Sequence, residues 1–192
     1  MAKPTAVFSV CNALQTFLKN AYDTASPQPA AGVTFSVIAS HALNVAPPDG
    51  DVVTIWLYRL TVNEHQRNFA PDPNQPRPPL MLDLHLLLTC WSNKPAVEHA
   101  LLAWTMRELH QRPVLDNSLL PADDGWRLGD TVQLLPAELS NEDLMRLWDA
   151  ILPPYHVSLS YVARMVPIDA EQPPVFPPVV ERNIRIEEIA RA

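Results

Sequence analysis

The sequence predicts an α+β fold: one domain with a mixed or antiparallel sheet, helices packed mainly on one face, an extended proline-rich loop and a C-terminal tail. Three observations carry this. Residues 52–62 and 80–91 are two long runs at strand periodicity, with no crossover helix between them. Amphipathic helical patterns at 4–22, 95–111 and 140–151 are interspersed among the strands. The chain of 192 residues is 47% hydrophobic, enough for a sizeable core.

The elements follow in order. In residues 4–22, Val7, Val10, Cys11, Leu14, Phe17 and Leu18 recur at i, i+3, i+4 and i+7, and Pro4 suits a first turn. SPQPAAG at 26–32 breaks that pattern, and VTFSVIAS at 33–40 alternates as a short strand. In the first long run, Val53, Ile55 and Leu57 point one way, and Trp56, Tyr58 and Leu60 the other. In the second, Leu80, Leu82, Leu84, Leu86, Leu88 and Cys90 share a face. The opposite face, Met81, Asp83, His85, Leu87, Thr89 and Trp91, is mixed, as in a central strand whose second side is partly covered. SNKP at 92–95 opens a helix with Ser92 or Asn93 as its cap, and Pro113 ends it. That helix carries Leu101, Leu102, Met106 and Leu109, with Val97 and Trp104 beside them. Residues 112–130 are irregular, although Trp126 implies that the loop packs down. TVQLLP at 131–136 is a short strand. Ser140 and Asp143 form a capping box for a helix with Leu144, Leu147, Trp148 and Ile151 on one side. In a last long strand at 155–169, Tyr155, Val157, Leu159, Tyr161, Ala163 and Met165 alternate with His156, Ser158, Ser160, Val162 and Arg164. The domain therefore spans 1–170, and 171–192 is an extended, proline-rich tail with mixed charge.

Composition narrows the function. The net charge of −7 argues against a nucleic-acid binder, which needs a basic face, and against an anionic membrane partner. No run approaches the ~18 apolar residues of a membrane span, and no signal peptide is apparent, so synthesis is expected in the cytoplasm. Cys11 and Cys90 lie on apolar faces outside any metal-ligand spacing and are expected to be buried and reduced. Proline is abundant at 21 and glycine scarce at four, so the loops are stiff rather than supple. Five prolines fall within residues 71–79 (Pro71, Pro73, Pro76, Pro78 and Pro79), which excludes a helix or an inner strand there. A stiff arm rooted in two anchored strands suits contact with a neighbouring molecule better than chemistry.

Motifs for catalysis are weak. Asp83 and His85 share a strand face, a spacing that can serve a metal or an acid/base pair. No third ligand lies nearby in sequence, so a hydrogen-bonded structural pair is the plainer reading. His99 and His110 are eleven residues apart on one helix, roughly 16 Å, too far to share an ion. Four dispersed glycines leave no phosphate loop or dinucleotide fingerprint, and no nucleophile elbow is present. Glu187 and Glu188 read as solvated charges. No cofactor or metal site is assigned. Asn63–Glu64–His65–Gln66–Arg67–Asn68 concentrates polar side chains at a strand end, where both a solvated turn and an assembly contact are open readings.

Taken together, WLYRLTVNEHQRN at 56–68, PPLMLDLHLLLTCW at 78–91, LLAWTMRELHQRPVL at 101–115 and LSNEDLMRLWDAILPPYHVSLSYVARMVPID at 139–169 resemble the tail terminator (cap) proteins of phage-tail-like contractile injection systems. The resemblance covers residues 4–170. It implies an assembly protein, not an enzyme: a six-membered ring on the last layer of sheath and inner tube that ends polymerisation and stabilises the particle. Such proteins have no catalytic residues to carry over. Many members continue into a larger C-terminal region, so a function residing there is not expected of this chain. The assembly contacts expected are the 59–79 loop and the tail, with Arg59, Asn63, His65, Arg67, Asn68 and Arg77 in the first and Val179, Arg182, Ile184 and Ile186 in the second. The expected partners are copies of the chain itself and the sheath and tube proteins. An adaptor that recruits cargo, or a small metal-dependent hydrolase using Asp83 and His85, are the alternatives.

Overall fold

Leucine every second residue across 80–91 builds the centre of the molecule. The computed structural model describes residues 4–44, 48–63, 79–152 and 154–170. Among them are strands β1 (Thr34–Ile38), β2 (Val52–Val62), β3 (Leu80–Trp91), β4 (Val114–Leu115), β5 (Val132–Pro136) and β6 (Ser158–Ile168). Helices α1 (Ala6–Thr24), α2 (Pro95–Gln111) and α3 (Asn141–Asp149) complete the frame, with short 3-10 turns at Ser40–Asn44 and Ala122–Asp124. The sheet order is β1-β2-β3-β6-β5-β4. Only β1 runs parallel to its neighbour; the other pairs are antiparallel. The sheet is therefore mixed, with two short strands at its edges.

One face carries the main core. Leu84, Leu86, Leu88 and Cys90 of β3 meet Val53 and Ile55 of β2, Tyr161 and Ala163 of β6, and the apolar stripes of α1 and α2. Tyr22, Phe35 and Trp104 lock α1, β1 and α2 together, the Tyr22 and Trp104 rings meeting edge-on at 4.9 Å. Trp126 is buried as expected, and its Nε1–H donates to Ser9 Oγ on α1 at 3.0 Å. Burial pushes the Cys11 thiol up to about 11 and the Cys90 thiol up to about 12, so both are inert small hydrophobes.

The opposite face is only partly covered. Leu43, Val52, Leu87, Trp91 and Trp148 form a smaller cluster under α3. The Ser140 cap is present: its Oγ accepts from the Asp143 N–H at 3.1 Å and donates to Asp143 Oδ2 at 2.7 Å.

Several sequence expectations are corrected. Neither Ser92 nor Asn93 is the cap of α2; Lys94 takes that position without a side-chain bond, while Ser92 Oγ accepts from the Lys94 N–H and ties the turn to Asp51. Met106 is 47% exposed because the buried stripe of α2 runs through Leu101, Trp104, Thr105 and Leu109 instead. Val114–Leu115 pairs as a two-residue edge strand inside the segment expected to be irregular. The last strand begins at Ser158, leaving Tyr155 and Val157 before it and exposed. Two β-bulges also overturn simple alternation. The β2–β3 register shifts between Leu57 and Arg59, so Leu60 faces the same side as its partner Leu84, not the side of Trp56. The β3–β6 register shifts beside Asp83, where Met165 adopts φ 66°. Val166, rather than Met165, then takes the fully buried core position.

Candidate functional site

The two bulges act on one place, the end of β2, β3 and β6 from which residues 64–78 and the tail depart. At the β2 bulge the extra residue leaves both Tyr58 and Arg59 on the second face. Tyr58 lies 6.0 Å from the His85 ring, ring centre to ring centre, and Arg59 lies opposite His85 in the register. Thr61 follows opposite Asp83. On β6 the alternation set by Ser158, Ser160 and Val162 brings Arg164 to the same face. The result is a cleft of about 350 Å³ lined by Arg59, Thr61, Asp83, His85, Val162 and Arg164.

Asp83 is its hub. The residue is buried, 8% exposed. Asn63 Nδ2 donates to Oδ1 at 2.9 Å and to Oδ2 at 3.2 Å. The Met165 N–H donates to Oδ1 at 3.2 Å, and Arg164 Nε stands 3.6 Å from Oδ2. Burying a carboxylate is costly unless such donors satisfy its oxygens. Here the donors come from the end of β2 and from β6, so one side chain near the start of β3 ties the end of β2 to the strained residue of β6. The left-handed conformation at Met165 costs roughly 1–2 kcal/mol for an L-residue, and the Asp83 bond to its N–H offsets part of that.

His85 is engaged differently. Its Nε2 lies 3.0 Å from Thr61 Oγ1. Partial burial and the Arg59 guanidinium hold its pKa below the ordinary histidine range, against the opposing pull of Asp83. Asp83 and His85 do share a face as predicted, but the geometry gives each a structural partner. Among the described residues no three His, Cys, Asp or Glu side chains are grouped to hold a metal ion.

The predicted contact residues divide. Arg59 is exposed on the second face, and no described residue pairs with it. Asn63 is 5% exposed, and its Nδ2 donates to Asp83. His65, Arg67, Asn68, Arg77, Val179, Arg182, Ile184 and Ile186 lie outside the described residues. Arg164 was not singled out in the sequence as a site residue. Its signal was present, a lone cation on a strand face otherwise made of Ser158, Ser160 and Val162. No described helix is long and apolar enough to cross a membrane.

A second groove of about 410 Å³ adjoins the cleft through Arg59. Tyr58, Leu139, Leu147 and Ala150 line it between the sheet and α3.

A family model described as the Pvc16 N-terminal domain matches residues 9–182. No curated protein matches the chain. Among solved structures, the sheath/tube terminator of PVC, an extracellular contractile injection system, in its extended state superposes with a TM-score of 0.60 at 15% identity, covering 95% of this chain and 64% of that one. The tube terminating cap of the anti-feeding prophage superposes with a TM-score of 0.55 at 16% identity, covering 92% of this chain and 60% of that one. The chain thus spans less than two thirds of the length of either structure. At these identities the likeness establishes the fold.

Proposed function

The chain belongs to the Pvc16 N-terminal domain family, and from that membership we propose that it is a structural cap of a contractile injection particle. In this reading it forms a ring on the end of the sheath and inner tube, stops their growth and stabilises the finished particle. The observation that carries the proposal is the fold: two solved terminators share it across 95% and 92% of this chain.

The molecule's own construction supports the reading. A cap must bind the last layer and offer nothing to a further one, which a closed ring achieves. Short edge strands limit open-ended pairing. The pinned end of β2, β3 and β6 presents segment 64–78 and the tail from fixed points, so less freedom is lost on docking. Arg59 belongs to the contact surface, with His65, Arg67, Asn68 and Arg77 in the loop and Val179, Arg182, Ile184 and Ile186 in the tail. The ring has six copies. Sheath and tube proteins are the other partners, the role is non-catalytic, and the protein is made in the cytoplasm before joining the particle.

Electron micrographs of the purified full chain test the ring. Six-fold rings are the expected result. A chain that stays monomeric at every concentration overturns the ring.

A further inference from the structure

The cleft on the second face carries an unbalanced charge beside an open groove with both aliphatic and charged walls. In the cleft, Arg59 and Arg164 stand with one carboxylate, Asp83. That carboxylate is already the acceptor for Asn63 and the Met165 N–H, and Arg164 approaches it only to 3.6 Å with its side chain 40% exposed. Arg59 has no described partner. Along the adjoining groove, Arg146 is matched to Glu142, and Asp143 is bonded to Ser140. Asp143 keeps its charge, so the groove itself has one carboxylate over; the cationic surplus is confined to the cleft and sits at Arg59, on a chain whose net charge is −7. Next to it, Tyr58, Leu139, Leu147 and Ala150 line a groove of about 410 Å³. A complementary occupant pairs carboxylates with aliphatic side chains in close succession.

One segment of this chain has that chemistry. Residues 184–189 read Ile-Arg-Ile-Glu-Glu-Ile, with two adjacent carboxylates among three isoleucines. The described structure ends at Ala170, six residues past Arg164. The 13 residues between 170 and 184 can span up to about 45 Å, enough to leave one molecule and reach the next.

We propose that the groove between α3 and β2, together with the Arg59–Arg164 cleft, receives residues 184–189 of a second copy of this chain. Glu187 and Glu188 meet the guanidinium groups, and the isoleucines meet Tyr58 and Leu147. The inference rests on the ring reading above and names the contact that joins its copies. Each copy gives a tail and receives one, a head-to-tail contact that closes into a ring.

Charge reversal with mixing tests it, using full chains and mass photometry. R59E alone and E187R/E188R alone should each raise the concentration needed for assembly at least tenfold. Both should keep the near-UV circular dichroism of the parent, since Arg59 is exposed. Mixing the two variants in equal amounts should restore assembly to within about threefold of the parent. In that mixture an unaltered tail meets an unaltered groove, and a reversed tail meets a reversed groove. Parent rings that persist unchanged in R59E, or a mixture no better than its components, overturn the tail contact and leave the ring reading standing. A parent chain that never assembles overturns both.

Discussion

The two faces of the sheet are made differently, and the difference separates stability from contact. The face under α1 and α2 is one continuous apolar core, with Leu84, Leu86, Leu88 and Cys90 each fully buried. The other face has a small cluster around Trp148, a cationic cleft, and a groove that α3 leaves open. Nearly all of the burial that opposes chain entropy lies on the first face. The second face holds exposed polar groups on strands made rigid from behind. A surface held rigid from behind loses less freedom when a neighbour binds it.

The sharpest way to break this division is to cut into each face and compare. Leu86→Ala removes a fully buried side chain from the continuous core and should cost about 3 kcal/mol of global stability. Trp148→Ala removes the anchor of α3 from the smaller cluster, where Trp91, Tyr155 and His156 are its ring neighbours. Its loss should appear first as faster amide exchange in 141–151, with a global cost of about 2 kcal/mol or less. Chemical denaturation read beside hydrogen exchange distinguishes the two. If Trp148→Ala unfolds the whole domain as readily as Leu86→Ala, the faces are one cooperative unit and the division fails.

Asp83→Asn comes next in size. The replacement keeps the shape but turns one acceptor oxygen into an amide facing the Asn63 amide, and it removes the charge beside Arg164. A loss of about 1–2 kcal/mol is expected by urea denaturation, since a bond to a charged acceptor is replaced by a poorer one. No loss would mean that the two bulges hold their geometry without the carboxylate.

The first face was legible in the sequence, and the second only in part. Leucine at every second position of 80–91, Pro95 opening α2 and Pro113 closing it are local signals, and they gave those boundaries directly. The Ser140 cap was legible for the same reason. The bulges were not, because Tyr58 and Met165 are ordinary strand residues and one inserted residue leaves no mark in composition. Each bulge flips everything beyond it, which is why Leu60 and Met165 were assigned to the wrong sides. The Asp83 hub escaped notice because its partners lie 20 and 82 residues away, and no periodicity joins them. Asp83 and His85 could be placed on one face, but their spacing could not tell a structural pair from a reactive one.

His85 gives the smallest effect and the finest comparison, because it reports how dry the second face is. Burial comes first among the causes that lower its pKa, followed by Arg59, with Arg164 adding to them and Asp83 opposing. The folded chain therefore prefers the neutral imidazole more than the unfolded chain does. As pH falls below the ordinary histidine range, the unfolded state takes up the proton first. Stability contributed by neutral His85 is full above the unfolded pKa and is lost as pH falls toward the lower folded value. Urea midpoints at about pH 7.5 and about pH 5.5 should show this loss in the parent chain. His85→Gln keeps a polar group toward Thr61 but cannot titrate, so the difference between the two midpoints should shrink. Other histidines contribute equally to both proteins and cancel in the comparison. An unchanged difference would mean that His85 is as well solvated folded as unfolded, and the cleft beside Arg59 would then be an open surface rather than a formed one.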